Sequence, residues 1–150
     1  MIKIKVYIGS DHAGFVLKEK LKPYISKLKY KVIDTGNKKY DKNDDYPIYA
    51  SKLGKIIVKN KNSLGILICA SGQGVCIAAN KIKGIRAALA ENVRDAILAR
   101  RDDNSNIICL QGKYTKTLKA KLIVKKFLET KYEKVERFQR RINEIKKLEK

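Results

Sequence analysis

Apolar residues recur along the chain in two patterns that alternate with each other. Short apolar runs at 2–8, 31–34, 64–70, 85–90 and 106–110 predict five β-strands. The stretches between most of them carry apolar residues three or four positions apart, which predicts amphipathic helices. Because strands that alternate with helices pair in parallel through right-handed crossovers, the pattern predicts an α/β fold with a doubly wound, five-stranded parallel sheet of the Rossmann-like type.

Local signals define several of the helices. The first has Leu17, Leu21 and Ile25 at helical spacing, and Pro23 within it predicts a kink or an early break. Asp45 and Pro47 are typical of the cap and first turn of a second helix, which we expect to end near Asn60. Further helices are predicted after the glycine-containing loop at 72–74 and at 93–101 and 117–129.

The last segment departs from the alternation of strands and helices. A narrow apolar stripe runs along a charged helix at about 135–149, formed by Val135, Phe138, Ile142, Ile145 and Leu148. We expect this extra C-terminal helix to bind a second copy of the chain, with packing onto its own domain as the alternative. The full length of 150 residues fits one domain spanning residues 1–150, which includes this helix.

The chain is strongly basic, with 35 Lys and Arg against 15 Asp and Glu and a net charge of +20. Such a field attracts anions, either nucleic acid or phosphorylated metabolites. Only seven of the basic residues are arginine, and the lysines are spread over all elements. Because nucleic-acid footprints usually cluster and include aromatic residues, we expect no nucleic-acid partner.

Three cysteines, Cys69, Cys76 and Cys109, with no CxxC pair disfavour both a disulfide scaffold and a structural zinc site. The N-terminus lacks the apolar stretch of a signal peptide, and no apolar run approaches the roughly 20 residues that span a bilayer. We therefore expect a soluble cytoplasmic protein without a membrane partner.

The segment CASGQG, residues 69–74, places a thiol immediately before a glycine-rich turn. Small residues allow backbone amides to converge on one anion, and the positive end of the following helix dipole favours a thiolate. Cys69 is therefore a candidate base or nucleophile. The alternative is a small buried apolar residue at a strand end, which is how we interpret Cys76 and Cys109.

Two other segments carry candidate polar chemistry. Asp11 and His12, the only histidine, follow the first strand and can handle hydroxyl groups and protons, although Asp11 is equally suited to cap the next helix. Arg137 and Arg141 are four residues apart, so both guanidinium groups lie on one helix face and suit a phosphate. A solvated basic face is the alternative for this pair.

Several of these segments together resemble one family, the sugar-phosphate isomerases related to ribose-5-phosphate isomerase B and galactose-6-phosphate isomerase. The matching segments are GSDHAGF, DYPIYA, GILIC-SG-G followed by IAANK and GIRAAL, the N-N pair at 104–106 and the closing R---R. The resemblance extends from about Ile4 to Ile145. It implies a cofactor-independent and metal-free aldose–ketose isomerase of the pentose phosphate pathway, which interconverts ribose 5-phosphate and ribulose 5-phosphate through an enediolate.

The resemblance also implies roles for individual residues and an assembly. Cys69 matches the base, Ser71 a group that assists ring opening, and the amides of residues 70–74 an oxyanion hole. The substrate-binding positions that it implies are Asp11, His12, Ala70, Gly72, Gln73, Gly74, Asn80, Asp103, Lys113, Arg137 and Arg141. Within this set, Asp11 would bind sugar hydroxyls, His12 and the arginines would bind the phosphate, and Asn80 would support the loop. The implied assembly is a homodimer with sites built from both subunits, and tetramers remain open.

The chain departs from the family pattern at a few positions. Asp102 stands where many members have a histidine that assists ring opening, and Asp103 takes the adjacent asparagine position. Asp102 is therefore a candidate catalytic base for the anomeric proton, with a side chain that faces away from the site as the alternative. Ala70 replaces a usual glycine. Another branch has a carboxylate base at the position of Val75, and since valine cannot serve, Cys69 must be the base here. Two alternatives stay open: a galactose-6-phosphate isomerase, and a phosphosugar-binding protein with reduced turnover because of Asp102.

Overall fold

The computed structural model describes residues 4–149. Within them the strands are β1 (Lys5–Ser10), β2 (Lys31–Asp34), β3 (Ser63–Cys69), β4 (Ala87–Leu89) and β5 (Ile107–Gln111). The helices are α1 (Phe15–Lys27), α2 (Tyr46–Lys59), α3 (Gln73–Ala79), α4 (Val93–Asp103), α5 (Thr117–Glu129) and α6 (Glu136–Lys147). A single 3₁₀ turn, His12–Gly14, joins β1 to α1.

The strands form one parallel sheet in the order β2-β1-β3-β5-β4. Apolar residues of α1, α4 and α5 pack on one face, and those of α2 and α3 pack on the other. The chain therefore leaves the neighbouring strands β1 and β3 toward opposite faces. In doubly wound sheets, this reversal opens a crevice at the carboxyl ends of the two strands, where ligands bind.

The register brings the two conspicuous loops of the sequence together at this crevice. Ser10 is opposite Ile68, and Cys69 is opposite Gln111 of β5. The backbone N–H of Asp11 donates to the Ile68 carbonyl at 3.3 Å, so the loop after β1 is attached to the end of β3. The crevice thus holds Asp11, His12 and Cys69 within one short region of the sheet edge.

The fold class is confirmed, and the boundaries differ only locally. Helix α1 continues past Pro23 to Lys27, so the helix does not break early. The fourth strand begins at Ala87 rather than residue 85, because the Arg86 N–H donates to the Asn106 side chain at 2.8 Å. Ile2 and Lys3 of the predicted first strand lie outside the described residues.

Helix α6 packs against α4, and Ile142 is buried within the same chain. The stripe continues outward, however, since Ile145 is 40% exposed and Leu148 is 81% exposed. The stripe thus packs partly on its own chain and leaves one end uncovered, while its role in dimerisation stays a prediction. Across residues 4–149, no helix combines the length and the apolar character needed to cross a bilayer.

Candidate active site

Cys69 ends the central strand β3 as a free and buried thiol, 4% exposed. Strands β1 and β5 flank it, and its carbonyl accepts a hydrogen bond from the Gly112 N–H at 2.8 Å. Lys113 follows Gly112 in the chain, and the Lys113 N–H donates to the Ala70 carbonyl at 3.1 Å. These contacts hold the end of β3 rigidly in the crevice.

The loop after Cys69 contains backbone N–H groups that make no hydrogen bond within the described residues. Within residues 4–149, no acceptor takes the N–H of Ser71 or Gly72, whereas the Gln73 N–H donates to the Ser71 hydroxyl at 3.4 Å. Gly72 has φ of +76°, and a Cβ there would lie 2.9 Å from the Leu110 carbonyl oxygen. The left-handed turn therefore requires glycine, and it leaves two donors available for an oxyanion.

Tyr46 packs against this loop, although the sequence analysis did not select it. A Cβ on Gly74 would lie 2.5 Å from the Tyr46 ring, so the small residue allows close contact between the ring and the backbone. Tyr46 is the first residue of α2 and belongs to the DYPIYA segment. The contact links α2 to the loop that carries the free amides.

Asp11 lies buried beside Cys69's strand and caps the 3₁₀ turn, accepting a hydrogen bond from the Gly14 N–H at 3.2 Å. Burial raises the pKa of its carboxyl group, and the bond from Gly14 opposes that rise. Asp11 thus caps the 3₁₀ turn, whereas α1 itself has Gly14 at its N-cap position and no side-chain cap. A carboxyl group with this limited solvation can still accept hydrogen bonds from a ligand in the crevice.

His12 is paired with Asp44, a residue that the sequence analysis missed. The backbone N–H of His12 donates to Asp44 Oδ1 at 2.8 Å, and ring atom Nδ1 lies 2.8 Å from the same oxygen. Asn37 Nδ2 donates to the other carboxylate oxygen at 2.7 Å. Since Asp44 lies in a polar loop rich in aspartate, no local pattern distinguishes it from its neighbours.

The hydrogen bond to Asp44 raises the pKa of His12, and the charge of Asp11 acts in the same direction. A raised pKa keeps the imidazole protonated further into the neutral range than an ordinary histidine of about 6.5. The stabilisation from this pair is complete below the unfolded pKa and is lost as pH rises through the folded value. The raised pKa therefore favours the positively charged form of His12 in the crevice.

We expect Asp44→Asn to lower the His12 pKa toward its ordinary value, because the amide cannot balance an imidazolium charge. His12 is the only histidine, so its imidazole NMR signals can be titrated without assignment ambiguity. Asp41→Asn, in the same exposed loop, is the matched control and should leave the titration unchanged. An unshifted titration in Asp44→Asn would show that Asp44 does not set the charge of His12.

The side chains of Asp11, His12 and Asp44 each place one potential metal ligand within 4.8 Å of the others. However, His12 Nδ1 lies 2.8 Å from Asp44 Oδ1, which is the distance of a hydrogen bond within an ion pair. The arrangement is explained by hydrogen bonding without an ion. The expectation of metal-free chemistry stays a prediction.

The remaining predicted residues lie elsewhere in the chain. Helix α4 follows the carboxyl end of β4 and runs back, so Asp102 and Asp103 reach the amino edge of the sheet. The Asp102 carboxylate is bound by its neighbour Arg101, with Nε at 2.7 Å. The backbone carbonyl of Asp103 accepts from Arg86, which precedes β4.

Arg137 and Arg141 lie on α6, which is attached at the same amino edge. Just before the helix, the Glu133 N–H donates to the Arg101 carbonyl at 3.0 Å, and just after it, the Glu149 carboxylate accepts from the Gly84 N–H at 2.9 Å. Both arginine side chains are exposed. Within one chain, the arginines and Asp102 therefore do not meet the crevice that holds Cys69.

Asn80 lies at the C-terminal end of α3, between that helix and the segment that leads to β4. Its side chain makes two hydrogen bonds with Ala87, donating to the carbonyl at 2.9 Å and accepting from the N–H at 2.8 Å. These bonds tie the end of α3 to the start of β4. The residues that the structure gathers at the carboxyl edge are Asp11, His12, Cys69, Ala70, Ser71, Gly72, Gln73, Gly74 and Lys113.

The sequence matches a model of the family described as Ribose/Galactose Isomerase over residues 6–145. It is 40% identical over 150 residues to a protein of Mycoplasma genitalium named probable ribose-5-phosphate isomerase B, covering 99% of this chain and 98% of that protein. It is 39% identical over 143 residues to ribose-5-phosphate isomerase B of Mycobacterium tuberculosis, covering 95% and 88%.

Solved structures agree with this match. The fold superposes with a TM-score of 0.94 on the crystal structure of ribose-5-phosphate isomerase B from Mycoplasma genitalium with bound ribulose 5-phosphate, at 39% identity and 99% and 98% coverage. A Thermotoga maritima ribose 5-phosphate isomerase gives a TM-score of 0.91 at 42% identity, with 96% and 98% coverage. With the family model spanning most of its length and relatives aligned nearly end to end, this chain belongs to the ribose/galactose isomerase family.

Proposed function

We propose that this protein interconverts ribose 5-phosphate and ribulose 5-phosphate, with Cys69 as the general base. The observation that carries this proposal is the buried Cys69 thiol at the crevice between β1 and β3. After one intervening residue along the chain, the N–H groups of Ser71 and Gly72 have no acceptor within residues 4–149. A base and an oxyanion hole side by side are what enolisation next to a carbonyl group needs. The names of the similar proteins support the same substrate pair.

In the proposed reaction, the Cys69 thiolate removes the proton from C2 of the open-chain aldose. The electron pair of the C–H bond forms the C1–C2 double bond, and the carbonyl oxygen becomes an enediolate oxygen that the N–H groups of Ser71 and Gly72 stabilise. The proton then returns to C1, while a hydroxyl proton moves between the two oxygens, and the ketose results. No electrons leave the substrate, so the step needs no redox cofactor.

The substrate phosphate requires positive charge beyond what the crevice of one chain offers. The raised pKa of His12 favours its charged form, and Lys113 lies near Ala70. Arg137 and Arg141 are exposed at the other edge of the sheet and have no carboxylate partner within residues 4–149. We infer that a second copy brings these arginines to the crevice, so that the working unit is a homodimer with two shared sites.

We assign ring opening to Ser71, which lies in the loop beside Cys69. Among residues 4–149, its hydroxyl accepts a single long hydrogen bond, from the Gln73 N–H at 3.4 Å. A hydroxyl group can pass a proton between the anomeric oxygen and water. Asp102 is the other candidate, in place of the histidine implied by the family resemblance. Its carboxylate is already held by Arg101 at 2.7 Å, which limits its use as a proton acceptor.

We therefore expect Asp102→Asn to change kcat by no more than about threefold, the range of ordinary surface substitutions. Arg94→Gln, on an exposed part of the same helix, serves as the control. The measurement is steady-state formation of ribulose 5-phosphate. A fall of about a hundredfold or more would make Asp102 the proton acceptor in ring opening.

The experiment that tests the proposed function is an assay of ribulose 5-phosphate formation from ribose 5-phosphate in buffer that contains EDTA. We expect turnover under these conditions. The runner-up, a galactose-6-phosphate isomerase, shares the chemistry and is tested by replacing the pentose phosphate with galactose 6-phosphate. Binding of either sugar phosphate without turnover would favour the phosphosugar-binding alternative and overturn the assignment as an isomerase.

A further inference from the structure

A cavity of about 770 Å³ opens at the amino edge of the sheet, opposite the crevice that holds Cys69. The end of α2, the start of β3 and the segments that precede β4 and β5 form its walls. Its size is within the range of about 300–1,000 Å³ that is typical of small-molecule sites. None of the catalytic residues proposed above lines it.

Among the described residues, every charged side chain that lines the cavity is basic. Five basic residues border it, and no Asp or Glu does so within the part of the chain that the structure describes; the basic residues are Lys61, Lys83, Arg86, Arg100 and Lys146. Glu149 and Asp103 border an adjoining depression, and their charges act on Arg86. The Glu149 carboxylate accepts a hydrogen bond at 2.9 Å from the N–H of Gly84, which lines the cavity, so this carboxylate lies beside the cavity wall.

The two guanidinium groups are half-buried and bind only neutral oxygens. Arg100 donates to Asn104 Oδ1 at 3.0 Å and to the Ser105 carbonyl at 2.6 Å, and Arg86 donates to the Asn104 carbonyl at 2.9 Å. These contacts lie at the C-terminal end of α4, whose dipole supplies about half a negative charge. Glu149 and Asp103 also attract Arg86, whereas the charged group that acts on Arg100 is Arg86.

Arg100 shows the imbalance most clearly. Its Nε is buried and has no acceptor among residues 4–149. Burial lowers the pKa of Arg100, and the nearby charge of Arg86 lowers it further. An anion in the cavity relieves the repulsion between the two cations, while the buried Nε reaches it only if the Arg100 side chain shifts.

We propose that this cavity binds a small molecule carrying two or more phosphate groups, with Arg86 and Arg100 at its base and the three lysines at its rim. A single phosphate brings a charge of about −1.5 to −2, which is less than five cations can accommodate. The cavity also accounts for part of the basic charge that the proposed isomerase site does not use. The inference does not depend on the proposed function.

The test is calorimetric titration with inorganic pyrophosphate in an Arg141→Ala background, which removes the proposed substrate-phosphate contact. We expect one pyrophosphate per chain. Lys61→Gln, Lys83→Gln and Lys146→Gln combined should weaken binding by about tenfold or more, since each rim lysine contributes one ionic contact. These lysines are exposed, so the triple variant should fold.

The matched control replaces three exposed lysines away from the cavity, Lys20, Lys119 and Lys126, by glutamine, giving the same net charge. It should bind pyrophosphate within about twofold of the parent protein. Equal weakening in both triple variants would show attraction by the overall field only and would overturn the site. Absence of saturable binding in the parent would overturn it as well.

Discussion

Replacing Cys69 by alanine is expected to lower kcat for isomerisation by about 10²–10⁴-fold, the range for loss of a general base. Binding of the sugar phosphate should remain nearly unchanged, because the phosphate contacts and the loop amides are retained. The measurement is kcat by steady-state assay together with the Kd of ribulose 5-phosphate by calorimetry. Near-normal turnover would remove Cys69 from the mechanism.

Cys76→Ala provides the matched control. Cys76 lies on the same side of the sheet, and its hydrogen bond with Cys109 lowers its pKa, so it competes for alkylating reagents. The control should keep nearly full activity. In the Cys76→Ala protein, inactivation by iodoacetamide should follow modification of Cys69, and prior binding of substrate should slow it.

A sharper expectation concerns how the site is divided between subunits. A purified heterodimer of one Cys69→Ala chain and one Arg141→Ala chain should recover about half of the wild-type activity per dimer, because one of its two shared sites is intact. Each homodimeric variant should be nearly inactive at low substrate, since Arg141→Ala loses charge-assisted hydrogen bonds worth about 1.5–3 kcal/mol to the phosphate.

The control heterodimer pairs a wild-type chain with a chain that carries both substitutions. In this arrangement each shared site lacks either the base or the arginine, so we expect almost no activity at low substrate. If each chain held a complete site, the two results would exchange: the control would keep half of the activity and the first heterodimer none. Two differently tagged chains, co-expressed and purified in sequence, make both dimers accessible.

Local sequence patterns were enough for the elements and for half of the candidate site. Buried strands such as 64–69 are short apolar runs, and helix α2 begins where Asp45 and Pro47 predict, because these signals depend on neighbouring residues only. Strands alternating with helices also led to the parallel sheet. The family resemblance assigned Asp11 and Cys69 to one site, and the structure has both at the same crevice because loops after parallel strands lie at one edge of the sheet.

Sequence patterns could not predict contacts between distant segments of the chain. The pairing of His12 with Asp44 spans 32 positions and depends on how the loop before α2 folds over the end of β1, which no local periodicity encodes. The position of β5 between β3 and β4 likewise follows from packing of whole helices on the two faces. The Tyr46 ring was missed for the same reason.

The sequence by itself determined the strands, most helix limits, the family and the residues around Cys69, because each rests on short-range periodicity or a contiguous motif. Only the tertiary structure decided that Asp102, Arg137 and Arg141 lie at the opposite edge from Cys69. A motif records which residues a site uses, but the direction in which α4 and α6 run decides where one chain can present them. For this reason the proposed site includes a second chain, as the heterodimer experiment tests.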